Sequence, residues 1–361
     1  MKYISIVLYK RSTSLIAAFI VLILLGIIRW FFDGSAISNE TTSYSSSSPL
    51  LINAKNKNQS IFYRRQTCSC TRPILAYKSN LIIIDETSSS LCSQYSTFRG
   101  FHQRIIAISM YGPKENALFG FNVSLNFLYD LIDDMKKIYP GWILRIYHDT
   151  SIKEDIICPI ECAHNNVDFC NTSSLSNLGS VNDYIPPKIW RFLPAGDLLV
   201  DIMGSRDLDS PLSQRELDAV NEWLSTDKAW HAMRDHPFHG VPMLGGMWGF
   251  RPVLNRTMAS IFLNKMLNHN LIKRYAGRGD QTFLTDHIWP NIQDHVLAHD
   301  SHLCTTWYGK NSQPWPTRRP PLNETSCFVG CVRPCCQKMK PPFGECPIAC
   351  RPKNHTDWTM C

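Results

Sequence analysis

Three short apolar runs constrain the fold of this chain more than any other feature. They cover residues 104–110 (RIIAISM), 142–147 (WILRIY) and 197–203 (DLLVDIM). Near-continuous apolar runs of this length are typical of strands that are buried on both faces of a parallel sheet. Strand, helix and strand in this order predict a βαβ unit, and hence an α/β fold with a mixed, mainly parallel sheet and flanking helices. The helix between the first two runs is indicated by apolar residues at helical spacing: Leu118, Leu125, Leu128, Ile132 and Met135.

Further signals extend this pattern along the chain. Ser213 with Glu216 three residues later predicts a capping box and therefore the start of a helix. Two more apolar segments follow, at 229–233 and 243–250, while residues 158–170 contain three cysteines and predict a loop-like insert. A chain of 361 residues is long enough for one large domain with appendages.

Fourteen cysteines indicate an oxidising compartment, and seven of them crowd into residues 327–361. In the cytosol such density would indicate metal or redox chemistry, whereas in the secretory lumen it indicates disulfide bonds. The tail lacks clean CxxC pairs, so disulfides are favoured over a zinc site. Glycosylation sequons also favour a lumenal chain; they begin at Asn39, Asn58, Asn122, Asn171, Asn255, Asn323 and Asn354.

An apolar stretch near the N-terminus predicts a transmembrane signal-anchor over residues 14–32. Basic residues precede it, so by the positive-inside rule residues 1–13 form a cytosolic tail. The remainder is then lumenal, which is the single-pass type II topology of a Golgi or ER membrane protein. A signal peptide cleaved near Ala36 is the alternative, and the length of the apolar stretch disfavours it.

Composition divides the rest of the chain into four parts. Residues 33–65 are rich in Ser, Thr and Asn and predict a flexible stem. Residues 66–101 contain three cysteines and predict a disulfide-tied lead-in, residues 102–310 the catalytic domain, and residues 311–361 a cysteine-rich tail. The net charge of +7 is dispersed and forms no basic run, so nucleic acid is excluded as a partner.

The strongest candidate for chemistry is the acidic motif that follows the third apolar run. Asp207 and Asp209 come after Arg206, and ligands of open α/β sheets bind beyond the carboxyl ends of the strands. Two carboxylates at i and i+2 in an extended chain can reach one Mn²⁺ or Mg²⁺ ion that keeps other positions for substrate phosphates. Such an ion neutralises a diphosphate leaving group. We assign Arg206 to the same donor site; a solvated loop is the alternative.

A second interpretation of the same motif is the aspartyl-phosphate loop of a phosphatase, Asp-x-Asp-x-Thr. Pro211 stands where Thr or Val would be expected, and the strand comes late in the chain. Both observations disfavour the phosphatase.

Two further motifs follow the later apolar segments. Arg234 can hold a phosphate or a sugar carboxylate and Asp235 can act as a base for the acceptor, although a structural Arg–Asp pair is the alternative. Gly245 and Gly246 allow a close approach of backbone, and Trp248 offers an aromatic face, so the segment predicts a wall for the acceptor or the donor sugar. A packed turn with a core tryptophan is the alternative.

The last candidates lie towards the end of the domain. Asp280 and Gln281 open a helix, where they are either a catalytic part or a helix cap. His299 or His302 would complete the metal site with the two aspartates of the acidic motif.

Taken together, these motifs resemble a known group of proteins. The runs SRDLDSPLSQRELDAVNEWL, MRDHPFHGVPMLGGMWG, GDQTFL and AHDSHLC are similar to those of largely uncharacterised glycosyltransferase-like proteins, over roughly residues 104–320. More distantly, WRFLPAGD followed by Asp-x-Asp resembles nucleotide-sugar transferases of the A-type (GT-A) fold. The resemblance implies a GT-A-like domain in which Arg191 faces the donor and Asp207 and Asp209 bind metal and diphosphate. It also places Asp235, Asp280 and Gln281 near the reaction centre.

The expected function is transfer of a sugar from a nucleotide-diphosphate donor to a lumenal glycan, protein or lipid acceptor, with Mn²⁺ or Mg²⁺ as cofactor. One alternative is a catalytically silent GT-A-like protein that binds glycans or acts as a scaffold. Another is a secreted cysteine-rich ligand whose tail is the active part.

Overall fold

The computed structural model describes residues 62–74, 89–112, 121–319, 328–335 and 344–361. The predicted cytosolic tail and signal-anchor lie outside these ranges, as does the stem apart from its last residues. None of the helices within the ranges has the length and apolar character that crossing a membrane requires.

Within these ranges the chain forms strands and helices in alternation. The strands are β1 (Phe62–Tyr63), β2 (Arg72–Pro73), β3 (Gln103–Met110), β4 (Ile143–His148), β5 (Val167–Asn171), β6 (Val200–Arg206), β7 (Trp230–Arg234), β8 (Met247–Phe250) and β9 (Val296–Asp300). The α-helices are α1 (Gln94–Phe98), α2 (Phe121–Ile138), α3 (Glu154–Ala163), α4 (Gln214–Leu224), α5 (Arg256–Leu267), α6 (His269–Ile272), α7 (Tyr275–Arg278), α8 (Asp280–His287) and α9 (Trp289–Ile292). A 3₁₀ segment covers Pro187–Gly196, and shorter ones cover Pro252–Leu254 and Ile348–Cys350.

Seven of these strands form one sheet in the order β5-β4-β3-β6-β8-β7-β9. β3 pairs in parallel with β4 and β6, β4 with β5, and β7 with β9. β8 is antiparallel to both β6 and β7. The prediction of a mixed, mainly parallel sheet with flanking helices is therefore confirmed.

The apolar strands are buried because helices cover the sheet. One core cluster contains Trp190, Phe192, Trp248 and Phe262 and packs the 3₁₀ segment and α5 against the sheet. A second cluster contains residues of α2, α3 and α4. Strands β4, β7 and β8 are buried along their whole length, as expected for strands whose two faces are both covered.

The predicted start of α4 is confirmed, but only half of the capping box forms. The Ser213 hydroxyl accepts a hydrogen bond from the Glu216 N–H at 3.3 Å. The Glu216 carboxylate does not turn back to Ser213, because it accepts hydrogen bonds from Arg206 Nε at 2.6 Å and from the Tyr139 hydroxyl at 2.8 Å. A buried ion pair thus replaces the second capping bond and joins α4 to β6.

The lead-in is joined to the sheet by disulfides and buried ion pairs. Cys68 bonds to Cys158 and Cys70 to Cys162. The insert that the sequence predicted as a loop is instead the second half of helix α3, which presents these two cysteines one turn apart, followed by most of strand β5. Arg99 also donates to the buried Asp168 of β5 from Nε at 2.9 Å and from Nη2 at 2.8 Å. The disulfide prediction is confirmed here and by a further bond between Cys92 and Cys170.

Disulfides also tie the described parts of the tail. The bonds join Cys304 to Cys350, Cys331 to Cys335 and Cys346 to Cys361. The tail contacts the body directly, because the Val329 N–H donates to Asp235 at 2.9 Å.

Candidate functional site

The candidate site lies where the central parallel strands of the sheet end. Strands β3 and β6 are parallel and both end there, whereas β8 is antiparallel to β6 and therefore begins there. Tyr111, Asp207 and the Gly245–Gly246 pair, which directly adjoin these strand ends, are consequently neighbours. The 3₁₀ segment Pro187–Gly196 packs against β3 and supplies Arg191. The backbone N–H of Arg191 donates to the Ser109 hydroxyl at 3.2 Å.

Arg191 is the centre of the site. Its guanidinium donates from Nη1 to an oxygen of Asp207 and to the Arg206 carbonyl at 2.9 Å. From Nη2 it donates to Asp280 Oδ2 at 2.6 Å. Arg191 and Asp280 are buried, whereas the Asp207 side chain is 45% exposed. Two carboxylates and one arginine thus leave a net negative charge, and its exposed part is Asp207.

The glycine pair presses its backbone against this ion cluster. A Cβ atom at Gly245 would overlap Asp280 Oδ2 and lie 2.8 Å from Arg191 Nη2, and one at Gly246 would overlap Asp207 Oδ2. The Ser205 hydroxyl donates to the Gly245 carbonyl at 2.7 Å and fixes the pair. The site therefore needs both glycines for want of space, which is the close approach that the sequence predicted.

Tyr111, which directly follows the first predicted strand, is a member of the site that the sequence did not identify. Its pKa is raised, chiefly because burial disfavours the phenolate; Arg191 acts in the opposite sense, and the nearby carboxylates of Asp280 and Asp207 act in the same sense as burial. The neutral hydroxyl is able to donate a hydrogen bond. Its position immediately after a buried strand is the sequence signal by which it could have been identified.

The electrostatics of Arg191 favour a permanent charge. Burial lowers the pKa of this guanidinium, but Asp207 and Asp280 more than offset the effect, and the pKa is raised above its ordinary value. A charged arginine at the base of the site can hold a carboxylate or a phosphate with paired hydrogen bonds.

Asp209 occupies a turn instead of the extended chain that the sequence argument assumed. The Ser210 N–H donates to the Asp207 carbonyl at 3.4 Å, which places Asp209 at the third position of the turn. The Asp209 carbonyl accepts from the Arg333 N–H at 2.8 Å. Arg333 also pairs with Asp134 of α2, so the disulfide loop Cys331–Cys335 holds the acidic motif in place.

Gln281 lies beside the site, on the surface. It follows Asp280 at the start of α8, and its N–H donates to Asp280 Oδ1 at 2.9 Å. Asp280 is the first residue of α8 and its N-cap is Gly279, so the predicted cap is displaced by one residue; its carboxylate receives the Gln281 N–H and Arg191, and a catalytic role for it stays a prediction.

Asp235 lies in a different, sealed cluster. Its Oδ1 accepts from Arg215 and Arg319, both at 2.9 Å, and from the Ser301 hydroxyl at 2.6 Å. Its Oδ2 accepts from Arg215 Nε at 3.1 Å and from the Val329 N–H at 2.9 Å. The side chain is fully buried, and these cations hold its pKa well below the ordinary value although burial acts in the opposite sense. The structure gives Asp235 the structural role instead of that of an acceptor base.

The two other arginines assigned to the donor are also internal. Arg206 is buried and donates to Glu216 and to the Trp248 carbonyl. Arg234 is fully buried; it donates to Asp300 Oδ2 at 2.6 Å and to the Ser312 hydroxyl at 2.7 Å. Both guanidiniums serve the packing of strand ends instead of facing the site.

Trp248 belongs to the core instead of a sugar wall. Its side chain is fully buried, and its ring lies 5.1 Å from Phe192 and 5.7 Å from Phe262. Both faces of β8 are covered, so Trp248 is enclosed whichever face it points to, and the sequence could not show that cover. The alternative of a packed turn with a core tryptophan describes this residue.

The two histidines expected to complete a metal site are engaged elsewhere. His299 is fully buried, with Nδ1 2.9 Å from His231 Nε2 and Nε2 3.2 Å from Glu222 Oε2, so both of its nitrogens are used. His302 lies by the sealed cluster, with Nε2 3.4 Å from Arg319. A metal ligand from either residue would require these contacts to break.

The oxygen atoms at the site nevertheless suit a hard cation. Asp207 is half exposed, and Mg²⁺ or Mn²⁺ is commonly held by one or two carboxylates together with substrate phosphates. Within the described ranges, the one set of three potential ligand atoms within 4.8 Å of one another is Cys68, Glu154 and Cys158, whose cysteines form a disulfide. The described residues therefore fit an ion shared with a phosphate better than one caged by protein.

Comparisons with known proteins give little direct guidance. No family model matches the chain, and no curated protein matches it. Among solved structures, it is similar to a cytidylyltransferase from Leptospira borgpetersenii, with 16% identity and a TM-score of 0.31 over 55% of this chain and 76% of that one. It is also similar to 4-diphosphocytidyl-2C-methyl-D-erythritol synthase from Anaerococcus prevotii, with 13% identity and a TM-score of 0.31 over 50% and 84%.

A third similar structure is mouse xyloside xylosyltransferase 1 in its apo form. The identity is 10% and the TM-score 0.34, over 58% of this chain and 90% of that one. With TM-scores this low, none of the three structures carries an argument about the activity of this chain.

Proposed function

We propose that this chain is a metal-dependent glycosyltransferase that moves a sugar from a nucleoside-diphosphate donor to a glycan, protein or lipid acceptor. The observation that carries the proposal is the cluster of Arg191, Asp207 and Asp280 under the Gly245–Gly246 backbone. It combines a charged arginine, a half-exposed carboxylate and a glycine backbone that lies close against both. These are the features required to hold a diphosphate beside a sugar ring.

Each member of the cluster has a separate role in this proposal. Asp207, with Asp209 in the same turn, would hold Mn²⁺ or Mg²⁺, which when bound supplies Lewis-acid stabilisation of the diphosphate. Arg191 binds a phosphate oxygen, and Asp280 keeps its guanidinium in position. The glycines let the backbone lie close against the ion cluster, and Gln281 and Tyr111 would offer hydrogen bonds to the donor beside it.

The transfer itself replaces one bond by another. The bond between the anomeric carbon and the diphosphate oxygen breaks and the nucleoside diphosphate leaves with the bonding electrons; the acceptor hydroxyl oxygen bonds to that carbon, and its proton passes to solvent water. Charge develops on the diphosphate, so a cation and an arginine fixed there stabilise the transition state more than the ground state. Asp235 has no part in this step, because it is sealed from the solvent.

The disulfides support a lumenal setting. Six described bonds, three of them in the lead-in, would not persist in a reducing cytosol. We therefore place the enzyme in the Golgi or the ER, held as a type II protein by residues 14–32.

One observation favours a second candidate, a catalytically silent protein that binds glycans or acts as a scaffold. Of the two carboxylates predicted to be catalytic, Asp235 is sealed and Asp280 is paired with Arg191. A silent protein could retain this ion cluster for stability alone.

The test is donor cleavage by the full-length chain. UDP- and GDP-sugars are incubated with the protein, with Mn²⁺ or with EDTA, and the released nucleoside diphosphate is quantified. We expect release from one class of donor that requires Mn²⁺ and falls at least about a hundredfold in Asp207→Asn, in line with the loss of one electrostatic contact to the transition state.

Asp133→Asn is the matched control, because Asp133 is an exposed aspartate of α2 that pairs only with Lys136. It should retain full activity. Binding of no nucleotide and cleavage of no donor by the folded chain would reject the transferase in favour of the silent protein.

A further inference from the structure

A small cleft lies along the outer edge of the sheet, away from the candidate site. Strand β9 is the last strand of the sheet, and the cleft runs beside it between α9 and the loop that follows β9. It measures about 40 Å³ and is lined by the aromatic residues Trp289, Trp307 and Tyr308 and the polar residues Gln293, Asp294 and Asn311. None of these residues belongs to the transfer site.

Trp307 is presented to solvent by a rigid loop. Its side chain is 69% exposed, and its ring packs edge-on against Tyr308 with the centroids 5.2 Å apart. The loop is a series of hydrogen-bonded turns, with the Thr306 N–H donating to the Leu303 carbonyl at 2.9 Å and the Gly309 N–H to the Thr306 carbonyl at 3.1 Å. A Cβ atom at Gly309 would overlap the Leu303 carbonyl, so the loop is as tightly closed as its backbone permits.

The disulfide from Cys304 to Cys350 anchors the start of this loop. An exposed tryptophan on a fixed loop pays little conformational entropy on binding, because its ring is already held in place. Such a ring is suited to recognition more than to packing.

The polar residues around the cleft have unused hydrogen-bonding capacity. Gln293, Asp294 and Asn311 are exposed, and within the described ranges their side chains make no hydrogen bond or ion pair. Together they offer two amides and one carboxylate as hydrogen-bond donors and acceptors.

A buried group in the same cleft also lacks a partner. Trp289 is 4% exposed, and its indole N–H finds no acceptor among the described residues. A buried donor without an acceptor costs free energy, and a ligand oxygen would remove that cost.

We infer that this cleft binds a pyranose ring of a glycan. The C–H face of the sugar stacks on Trp307, while its hydroxyl groups exchange hydrogen bonds with Gln293, Asp294 and Asn311. The cleft is small, about 40 Å³, so it admits a hydroxyl group but not the whole ring, and one hydroxyl enters towards the Trp289 N–H. The inference is independent of the proposed transfer reaction and holds for a silent protein as well.

The experiment is saturation-transfer difference NMR on the full-length chain in EDTA, without nucleotide. The probes are short oligosaccharides of mannose, galactose, xylose and N-acetylglucosamine. We expect saturation transfer to the C–H protons of at least one probe, and an affinity about tenfold lower in Trp307→Ala, the loss of one aromatic stacking contact.

Phe238→Ala is the matched control, because Phe238 is 81% exposed on a different loop. Its affinity for the same probe should be unchanged, and Asn311→Ala should weaken binding with no loss of thermal stability. Saturation transfer to none of the probes, or transfer that Trp307→Ala leaves intact, overturns the inference. Neither result bears on the transfer reaction, which EDTA disables.

Discussion

The two aspartate clusters that adjoin the strand ends look alike in sequence and differ in structure. Asp207 follows β6 and Asp235 follows β7, each directly after an arginine. Asp207 shares Arg191 with Asp280 and remains 45% exposed. Asp235 is enclosed by two arginines, a hydroxyl and an N–H from the tail, and is not exposed at all.

The difference teaches that the surroundings of a carboxylate decide its use. The open cluster holds two carboxylates and one arginine and can accept another cation. The sealed cluster holds one carboxylate between Arg215 and Arg319, so its net charge is positive and it does not attract a further cation. We therefore expect substitutions in the open cluster to affect ligand binding and those in the sealed cluster to affect folding.

The largest expected effect is that of Asp235→Asn. It leaves two buried arginines without their counter-charge, which costs about 3–5 kcal/mol of unfolding free energy. The melting temperature, measured by differential scanning fluorimetry, should fall by on the order of 10 °C or more. An unchanged melting temperature would mean that the sealed cluster is not structural.

The second prediction is the opposite outcome for Asp207→Asn. Because this carboxylate is half exposed, its ion pair contributes at most about 1 kcal/mol. The melting temperature should stay within about 3 °C of that of the unmodified chain, while the Mn²⁺-dependent shift caused by the nucleotide disappears. A loss of stability as large as that of Asp235→Asn would erase the distinction between the clusters.

The third prediction concerns the glycine pair. In Gly246→Ala the new methyl group overlaps the Asp207 carboxylate and must displace it. Nucleotide affinity, measured by isothermal titration calorimetry, should fall about tenfold or more, the equivalent of about 1.4 kcal/mol. Gly240→Ala is the control, since a Cβ there meets nothing within 4 Å and should leave the affinity unchanged.

The fourth prediction is a pH dependence of stability to which the sealed cluster contributes through His239. Burial lowers the pKa of His239 to about 4, with Arg319 and His236 acting in the same sense and Asp235 against it. Its Nδ1 accepts from the Asp235 N–H at 3.0 Å, so the native state needs the neutral ring. The unfolded chain takes up the proton near pH 6.5. The contribution of His239 to the unfolding free energy is therefore lost progressively as the pH falls from about 6.5 to 4.

This contribution is measured from melting temperatures across that range. His239→Asn should make the fall of stability with pH shallower without abolishing it, because the pKa of His302 is also lowered to about 4, whereas His295→Asn, a substitution of an exposed histidine, should leave it unchanged. Identical profiles for the unmodified chain and His239→Asn would contradict the assignment.

Much of the fold was predictable because apolar runs and capping residues are local signals. The predicted strands lie within one residue of β3 and β4 and three residues before β6, and Ser213 does begin α4. The third strand starts three residues late, because Asp197 is drawn into hydrogen bonds with Arg145 at 2.6 Å and with Ser90 at 2.8 Å.

The rest depended on contacts between distant residues. The place of β8 between β6 and β7 brings the glycine pair to Asp207, and no local pattern specifies that order. Arg191 reaches Asp280 across 89 positions. Sequence could therefore show that aspartates and arginines adjoin strand ends, but not which of them pair, and the roles suggested for Asp235 and Trp248 depended on that information.

The central claim is that Asp207 in the open cluster holds a divalent cation together with a nucleoside diphosphate. The most direct measurement is electron paramagnetic resonance of Mn²⁺ titrated with the full-length chain, with and without UDP or GDP. We expect one of the nucleotides to bring Mn²⁺ into a bound state, and Asp207→Asn to abolish this while Asp133→Asn does not. Bound Mn²⁺ that persists unchanged in Asp207→Asn, or no bound Mn²⁺ with either nucleotide, would contradict the claim.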